Sequence, residues 1–600
     1  MAGSDGRAKA GSSLPEEPAS SRLFCCSCVR RWIPLALREE IYHILLIAAP
    51  LLLYRVLNFC TPLIVTGFSG NLGKTVLAGY AMSSVILNVT AFATGGGLIL
   101  ACNTLVSQTF GARNLLRVGV ILQRSILILL LFCLPCWALL VNTRAILLVL
   151  GQEPEVARIA QMYVMAMLPA IPAHFLHLIL VAYLQNQGVI LPQVYMSAVT
   201  AATTLLMNYT FVTWLDFGIP GSIAANSLAQ FVNFFLLLGF IVWRKLHIKT
   251  WDGWSMESLQ EWGSFMKLAV PSTVMFSLEW WVYEFGAFFA GMLGEDDLAA
   301  QHIVMMLAFL NYMVPLSVQG ATCVRVGNAL GAGDTAGAIR ASRVGIGIAA
   351  VLAVFQGAIL ASAKTVIAYI FTSEEKIALL VSGVFTIYCL SQFFDGLVCV
   401  SMGVLLGAGR QRIAAVANLF GYYCIGLPSG IGLMFAAGLH VAGFWLGLLI
   451  SVCVQVTFFF IVISKMNWKT ITKEAVARAG KNASTALMAD PDHGTLGGDK
   501  ENQAENGHGS SNLSTQEVLK PPVSEIQQQQ QPAALFSSSQ LLLRRGLTTL
   551  AALLILAVGI SVHLLMPLPE SSWSSGGNAT MDDGNWTTTA SPLEQSTLAI

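Results

Sequence analysis

Residues 441–464 read VAGFWLGLLISVCVQVTFFFIVIS, twenty-four positions without one charged side chain. A helix needs about 20 residues to cross the hydrocarbon core of a bilayer, whereas a barrel strand needs only about 9–11. The run is too long for a barrel strand and does not alternate as one would, so a helix is the form in which its backbone can be satisfied in lipid. Runs of the same kind recur near 41–68, 76–102, 118–142, 156–182, 190–215, 221–243, 264–292, 299–322, 341–363, 377–405 and 413–437, with a detached one at 547–566. Together they define an all-α polytopic membrane protein of twelve clustered spans and one outlier. Composition agrees, since 55% of the 600 residues are hydrophobic and 11% charged, against about 25% charged in soluble domains. Acids and bases nearly cancel, which excludes a charge-driven nucleic-acid partner.

Where the bases sit predicts orientation, because Lys and Arg collect on the cytoplasmic side. Residues 1–40 hold Arg7, Lys9, Arg22, Arg30, Arg31 and Arg38 and no cleavable leader. The connections after spans 2, 6, 8, 10 and 12 are also basic (Arg113, Arg117; Arg244, Lys245, Lys249; Arg325, Arg340, Arg343; Arg410, Arg412; Lys465, Lys469, Lys473), and the opposite connections carry only Lys74, Arg144, Lys364 and Lys376. The N-terminus is therefore expected in the cytoplasm. Beyond span 13 there is no Lys or Arg, and Asn578 and Asn585 stand in glycosylation sequons, so the C-terminus is expected outside. Asn482 and Asn512 also sit in sequons but should stay bare in a cytosolic linker.

The expected organisation is a cytoplasmic tail (1–40), an N-lobe (41–245), a C-lobe (246–466), a disordered cytoplasmic linker (467–545), span 13 (546–567) and an extracellular tail (568–600). The long linker suggests that span 13 is dispensable for the core. Twelve scattered cysteines make no disulfide framework. Cys25, Cys26 and Cys28, beside Arg30 and Arg31, are either lipidation sites or free thiols.

The two halves of the cluster resemble each other at an offset of roughly 220 residues. Gly111-Ala-Arg-Asn after span 2 matches Gly331-Ala-Gly-Asp after span 8, and Glu155 before span 4 matches Glu375 before span 10. Leu184-Gln-Asn-Gln-Gly matches Leu406-Gly-Ala-Gly-Arg, and Gly221 opening span 6 matches Gly443 opening span 12. Six spans per half is even, so the halves share orientation about an axis along the membrane normal. That arrangement is typical of alternating-access transporters and places the substrate site between two six-helix lobes.

A charge at the centre of a span costs about 2.5–3.5 kcal/mol on insertion scales, so the acids of spans 7 and 10 need a reason. They are Glu279, Glu284 and Asp395, flanked by Trp280, Trp281, Tyr283, Gln392, Phe393 and Phe394. At about 100° per residue, Glu279 shares a helix face with Tyr283, and Trp280 with Glu284. Desolvation disfavours the charged form of such carboxyls, which makes them able to exchange protons. When ionised, they and the aromatic faces could hold an organic cation. A structural pairing with a buried base such as Arg55, mid-span 1, is the bland alternative. His174, His177 and His302 could relay protons or be plain interface residues. Gly95-Gly-Gly97 suits close helix packing rather than a phosphate loop. No metal-ligand spacing or nucleotide motif is present, so no cofactor, no enzyme chemistry and no ATP drive are expected.

At these residues the sequence resembles the multidrug and toxin extrusion family, in its vertebrate branch. The resemblance is carried by Glu279-Trp-Trp-Val-Tyr-Glu-Phe-Gly, Val324-Arg-Val-Gly-Asn-Ala-Leu-Gly-Ala-Gly-Asp334, Thr104-Leu-Val-Ser-Gln-Thr-Phe-Gly111 and Gly421-Tyr-Tyr-Cys-Ile-Gly-Leu-Pro428, and runs from about 40 to 475. It implies two six-helix lobes rocking about a central cleft, and export of small organic cations or xenobiotics in exchange for protons by a monomeric plasma-membrane protein. It also implies that Glu279 and Glu284 couple protons, that Trp280, Tyr283 and Tyr312 contact the cation, and that Asn88 faces the cleft.

Five positions depart from that pattern. Met306 stands where the resemblance implies a glutamate, Asp395 replaces a glutamate, Gln392 a histidine, Asn103 an aspartate, and Arg55 a neutral glutamine. Every one of these changes removes an acid, shortens one, removes a titratable group or adds a base, and together they make the cleft less negative. At an effective dielectric near 20, one charge about 8 Å away is worth roughly 2 kcal/mol, or about 30-fold in affinity. A divergent paralogue that also accepts zwitterionic or neutral solutes is therefore expected. A lipid scramblase or flippase, or a receptor that has lost transport, are the competing classes; titratable cleft acids favour the antiporter over both.

Overall fold

The computed structural model describes residues 34–370, 374–480 and 537–566, and among them the regular structure is helical throughout. The tail cysteines Cys25, Cys26 and Cys28, the sequons at Asn578 and Asn585 and linker residues 481–536 lie outside the described residues. Twelve helices occupy the expected positions in order. They are α1 (Leu35–Leu72), α2 (Lys74–Gly111), α3 (Leu115–Leu140), α4 (Pro154–Met167 continuing as Ala170–Asn186), α5 (Leu191–Asn208, with a π-turn Tyr209–Trp214), α6 (Gly218–Trp243), α7 (Trp262–Leu293), α8 (Glu295–Ala332), α9 (Thr335–Ala363), α10 (Glu375–Gly407), α11 (Gln411–Ala436) and α12 (His440–Lys465). An amphipathic α13 (Trp468–Arg478) and a C-terminal α14 (Ser538–Leu565) follow.

By length and composition ten of these helices can cross a membrane, and α4 makes eleven if its two segments, bent by 58°, are one span. The bend falls at Leu168-Pro169, and the Trp137 indole donates to the freed Leu168 carbonyl at 3.0 Å. The remaining expected spans, α5 and α7, are less apolar. Thr, Gln193 and Asn208 dilute α5, and α7 carries Lys267, Glu279 and Glu284.

Two large apolar cores divide the bundle. One is built mainly from α7–α12 and centres on Phe385, Trp445 and Phe459; the other is built from α2–α6 around Phe175, Tyr183 and Leu237. The opening helix of each half crosses over. Ile44 and Ala48 of α1 pack into the C-lobe core, while Phe265 and Ala269 of α7 pack into the N-lobe core. Pro50 and Pro271 follow inside the two helices.

The repeat is visible as a reciprocal contact at one end of the bundle. Gly111 of α2 leaves no room for a Cβ against the Asn328 backbone of α8, and Gly331 of α8 leaves none against the Gln108 backbone of α2. Both pairs are related by the same 220-residue shift. Asn114 caps α3 by accepting from Arg117 N–H (3.4 Å), and Asp334 caps α9 by accepting from Gly337 N–H (2.7 Å). Gly221 and Gly443 likewise abut the backbones of Phe211 and Leu433. The third match is off by one: the left-handed residues after α4 and α10 are Gly188 (φ 77°) and Gly409 (φ 72°), which set its register at 221.

That end of the molecule is sealed. Thr104 donates to the Leu406 carbonyl (2.8 Å), Gln108 to the Gly407 carbonyl (2.8 Å), and Gln411 to the Thr104 hydroxyl (2.7 Å), all between the halves. Arg325 of α8 makes a bidentate pair with Glu40 of α1 at 2.8 and 2.7 Å. Further along α2, Gly97 lies against the Thr273 backbone of α7 and Gly95 against the Phe175 ring, so the glycine run serves close packing.

Two expectations about the end of the chain need correction. The linker does not begin at 467: α13 buries Ile471 and Ala475 against Val326, Leu330 and Ala408 beneath the sealed end, and Val476 is buried as well. Thr472 bonds Thr335 (2.8 Å), and Asn114 donates to the Ala479 carbonyl (3.2 Å), so α13 touches both halves. Its apolar residues recur at helical spacing inside a polar composition, and that periodicity makes a docked helix. The second correction concerns span 13, whose helix starts at Ser538 rather than 546 and is not detached. Gly559 lies against the Ala138 backbone of α3, Asn142 donates to the Gly559 carbonyl (3.0 Å), and the Arg545 guanidinium stacks 4.1 Å over the Trp262 ring.

Candidate functional site

Position along α7 decides which of its acids meets the C-lobe interior. Taking Glu279 as the origin, Tyr283 lies about 40° and Trp280 about 100° around the helix, while Glu284 lies at about 140°. The first three line a cavity and Glu284 does not. The other walls are Met305, Ala308, Phe309 and Tyr312 of α8, Tyr388, Ser391 and Asp395 of α10, and Trp445, Leu448 and Val452 of α12. The space is about 40 Å³, room for a few waters.

Glu279 is 7% exposed, and Tyr312 donates its hydroxyl to Glu279 Oε1 at 2.6 Å. Among the described residues neither Glu279 nor Asp395 has an ion-pair partner. The walls around them are aromatic. The Trp280 ring stands edge-on to Tyr312 (6.5 Å between centroids) and tilted against Phe309 (5.4 Å). Trp445 stands edge-on to Tyr388 (5.4 Å) and near Tyr283 (6.4 Å).

A polar chain stiffens the far wall. Gln356 of α9 donates to Asn311 Oδ1 (2.8 Å) and to the Asn311 carbonyl (2.9 Å), and Asn311 donates to the Tyr388 hydroxyl (3.0 Å). The Tyr388 hydroxyl donates to the Ala308 carbonyl (3.3 Å), and the Trp445 indole donates to Gln301 (2.9 Å). The sequence reading missed Tyr388, Trp445, Asn311 and Gln356. Polar residues within apolar runs were the available signal, but nothing in the sequence says that α8, α9, α10 and α12 turn those residues to one point.

Several expected site residues lie elsewhere. Glu284 and Asn88 are exposed, in the halves of α7 and α2 that lie farther from the seal. Gln392 is buried but does not line the cavity, and it donates to the Ala353 carbonyl of α9 at 2.7 Å. Met306 does not line the cavity; its neighbour Met305 does. Asn103 accepts from Asn186 within the N-lobe at 2.8 Å. Among the described residues Arg55 does not pair with an acid: its Nε is buried without a partner, and a guanidinium nitrogen lies over Gly320 of α8. His177 contacts the Tyr54 hydroxyl (3.5 Å), His174 contacts Gln230 (2.9 Å) and His302 is exposed, so none joins the two cavity acids. Among the described residues no cluster of metal ligands occurs.

Two six-helix halves around a repeat axis, sealed at one end, with buried unpaired acids in one half, define a two-lobed membrane transporter. The MatE family profile matches residues 50–210 and again 271–431, once per lobe. Multidrug and toxin extrusion protein 1 of Danio rerio is 45% identical over 465 residues, covering 77% of this chain and 79% of the relative. The Homo sapiens protein of that name is 44% identical over 465 residues, covering 76% and 82%. A crystal structure of the eukaryotic MATE transporter AtDTX14 superposes with a TM-score of 0.71 at 28% identity, covering 74% of this chain and all of that one. The Vibrio cholerae MATE transporter VcmN shares the fold at 17% identity, with a TM-score of 0.66 over 73% of this chain and all of that one. The chain belongs to the multidrug and toxin extrusion family, whose members are transporters rather than enzymes.

Proposed function

We propose that this protein is a secondary active exporter that exchanges protons for organic cations by alternating access. The observation that carries the reading is the pair of cavity carboxyls, Glu279 and Asp395, walled by Trp280, Tyr283, Tyr388 and Trp445 without a basic partner. A buried carboxyl with no base is stable only while it holds a proton or faces a cation. Proton release then leaves a charge that an ammonium group satisfies, and the aromatic faces add cation–π attraction. One carboxyl cannot serve both partners at once, so cation and proton compete for it and move in opposite directions. The cavity is too small for a drug-sized cation with its aromatic walls as they stand, so Trp280 and Tyr283 must move on binding.

Glu284 and Asn88, exposed in the halves of their helices farther from the seal, are proposed to line the cleft on that side. The seal lies at the basic end of the bundle, and the distribution of Lys and Arg supports a cytoplasmic position for it. A multi-pass, monomeric plasma-membrane protein with its N-terminus inside and C-terminus outside is the corresponding proposal. In proteoliposomes, an outward-directed gradient of a tetraethylammonium-type cation should be discharged faster when a proton gradient opposes it. Efflux that ignores the pH gradient, or lipid movement without solute movement, would favour the scramblase or receptor class.

A second reading, export of zwitterions, rests on Arg55, whose guanidinium has no carboxylate partner among the described residues. Arg55→Gln and Met306→Glu should each raise simple-cation transport. If neither changes it, the retuned-cleft reading fails.

A further inference from the structure

A second cavity is far larger than the acidic one. A basin of about 660 Å³ opens at the sealed end, between α1, the α2–α3 turn, the chain after α6, and α8 with the start of α9. Its charged lining is four bases, Arg113, Lys249, Arg325 and Arg340, and two acids, Glu40 and Asp334. Both acids are already engaged. Glu40 is held by Arg325, and Asp334 accepts from the Gly337 amide as the α9 cap. The side chains of Arg113, Lys249 and Arg340 have no hydrogen bond or ion pair among the described residues, whereas Arg117 and Arg410 at the same end have Glu261 and Glu474.

Arg113 adds an independent mark. It sits at φ 60°, in the left-handed region, 220 residues from Gly333, which takes the same role after α8 with φ 92°. The turn suits glycine, and an arginine there costs backbone strain on the order of 1 kcal/mol. The repeat shows that glycine can occupy this turn, so the strained alternative delivers a guanidinium to the basin.

We propose that this basin binds a phosphate-bearing anion, and that the anion stabilises the sealed state by bridging the lobes. Four bases against two acids leave the lining with two net positive charges, which fits a group carrying two negative charges, and arginine matches phosphate oxygens in a bidentate fork. Arg113 comes from the first half, Lys249 from the connection after α6, which is packed on that half where Gly119 of α3 meets the Thr250 carbonyl, and Arg340 from the second half, so lobe separation at this end would pull Arg340 away from the other two. An anion that binds only the sealed arrangement shifts the equilibrium toward it by its differential affinity. The same chemistry is offered by a phosphoinositide headgroup in the adjoining leaflet or by a soluble polyphosphate. This inference is independent of which solute the acidic cavity carries.

The test uses the purified full chain in detergent, read by thermal stability. The probes are inorganic pyrophosphate, magnesium-free ATP and a short-chain phosphatidylinositol bisphosphate. Saturable stabilisation is expected, with affinity at least about 100-fold weaker in Arg113→Gln/Lys249→Gln/Arg340→Gln. Arg244→Gln/Lys245→Gln, basic positions outside the lining, should bind as wild type. Arg113→Lys should keep most of the affinity, which separates loss of charge from misfolding of the triple variant. Binding of all three probes assigns the site to phosphate alone; binding of the lipid probe alone assigns it to the bilayer. Absence of binding by every probe overturns the proposal, as does a triple variant that binds like wild type or a control pair that loses as much.

Discussion

The pair between Arg325 and Glu40 has unequal members, and that asymmetry predicts the outcome of breaking it. Glu40 is buried, with 6% of its side chain exposed, while Arg325 keeps 31%. Arg325→Gln leaves a buried carboxylate unpaired, which costs about 3–5 kcal/mol in comparable pairs. Glu40→Gln leaves a guanidinium that water can reach, and should cost roughly 1 kcal/mol. The pair joins α1 to α8 at the sealed end, so the cost falls on the sealed state. Opening at that end should rise about 100-fold or more in Arg325→Gln and by less than about tenfold in Glu40→Gln, at 1.4 kcal/mol per decade. The double variant, with neither charge buried, should fall between them. Amide hydrogen exchange in peptides spanning 104–112 and 325–333 reads this directly. Wild-type protection in Arg325→Gln, or a larger effect from Glu40→Gln, would refute the reasoning.

Three further outcomes follow from the packing. Tyr312→Phe removes the hydrogen bond to Glu279, worth about 1.5–3 kcal/mol to a charged acceptor, and should weaken apparent cation affinity by at least tenfold with surface expression unchanged. Gly331→Val places a branched side chain against the Gln108 backbone and should prevent the seal from closing, which would show as lost protection at 104–112 while the fold persists. Gly559→Leu should lift α14 from α3; lower thermal stability with transport retained is expected, and unchanged stability would contradict the docking of α14.

The sequence made the span positions legible because apolar run length is a direct signal, and the repeat legible because turns and caps recur at fixed places. Gly111, Gly331, Asn114 and Asp334 were readable for that reason. The acidic site was readable only along α7. Helix periodicity places Glu279 and Tyr283 on one face, but not which face the neighbouring helices enclose. That is why Glu284 was grouped with the cavity and Tyr388 and Trp445 were not. Gln392 and Arg55 show the same limit: a polar residue in a span must find surroundings that satisfy it, but only packing reveals whether that is the Ala353 carbonyl or a position over Gly320. The docking of α13 was hidden because three buried apolar residues in a polar stretch barely move its composition.

Proton movement measured alongside cation uptake bears most directly on the exchange reading of Glu279. Full-length protein is reconstituted in liposomes with a lumenal pH dye, and a tetraethylammonium-type cation is added outside. Cation entry should alkalinise the lumen, and Glu279→Gln should abolish both signals together. Cation uptake without a lumenal pH change, or a Glu279→Gln variant that keeps both, would contradict the account.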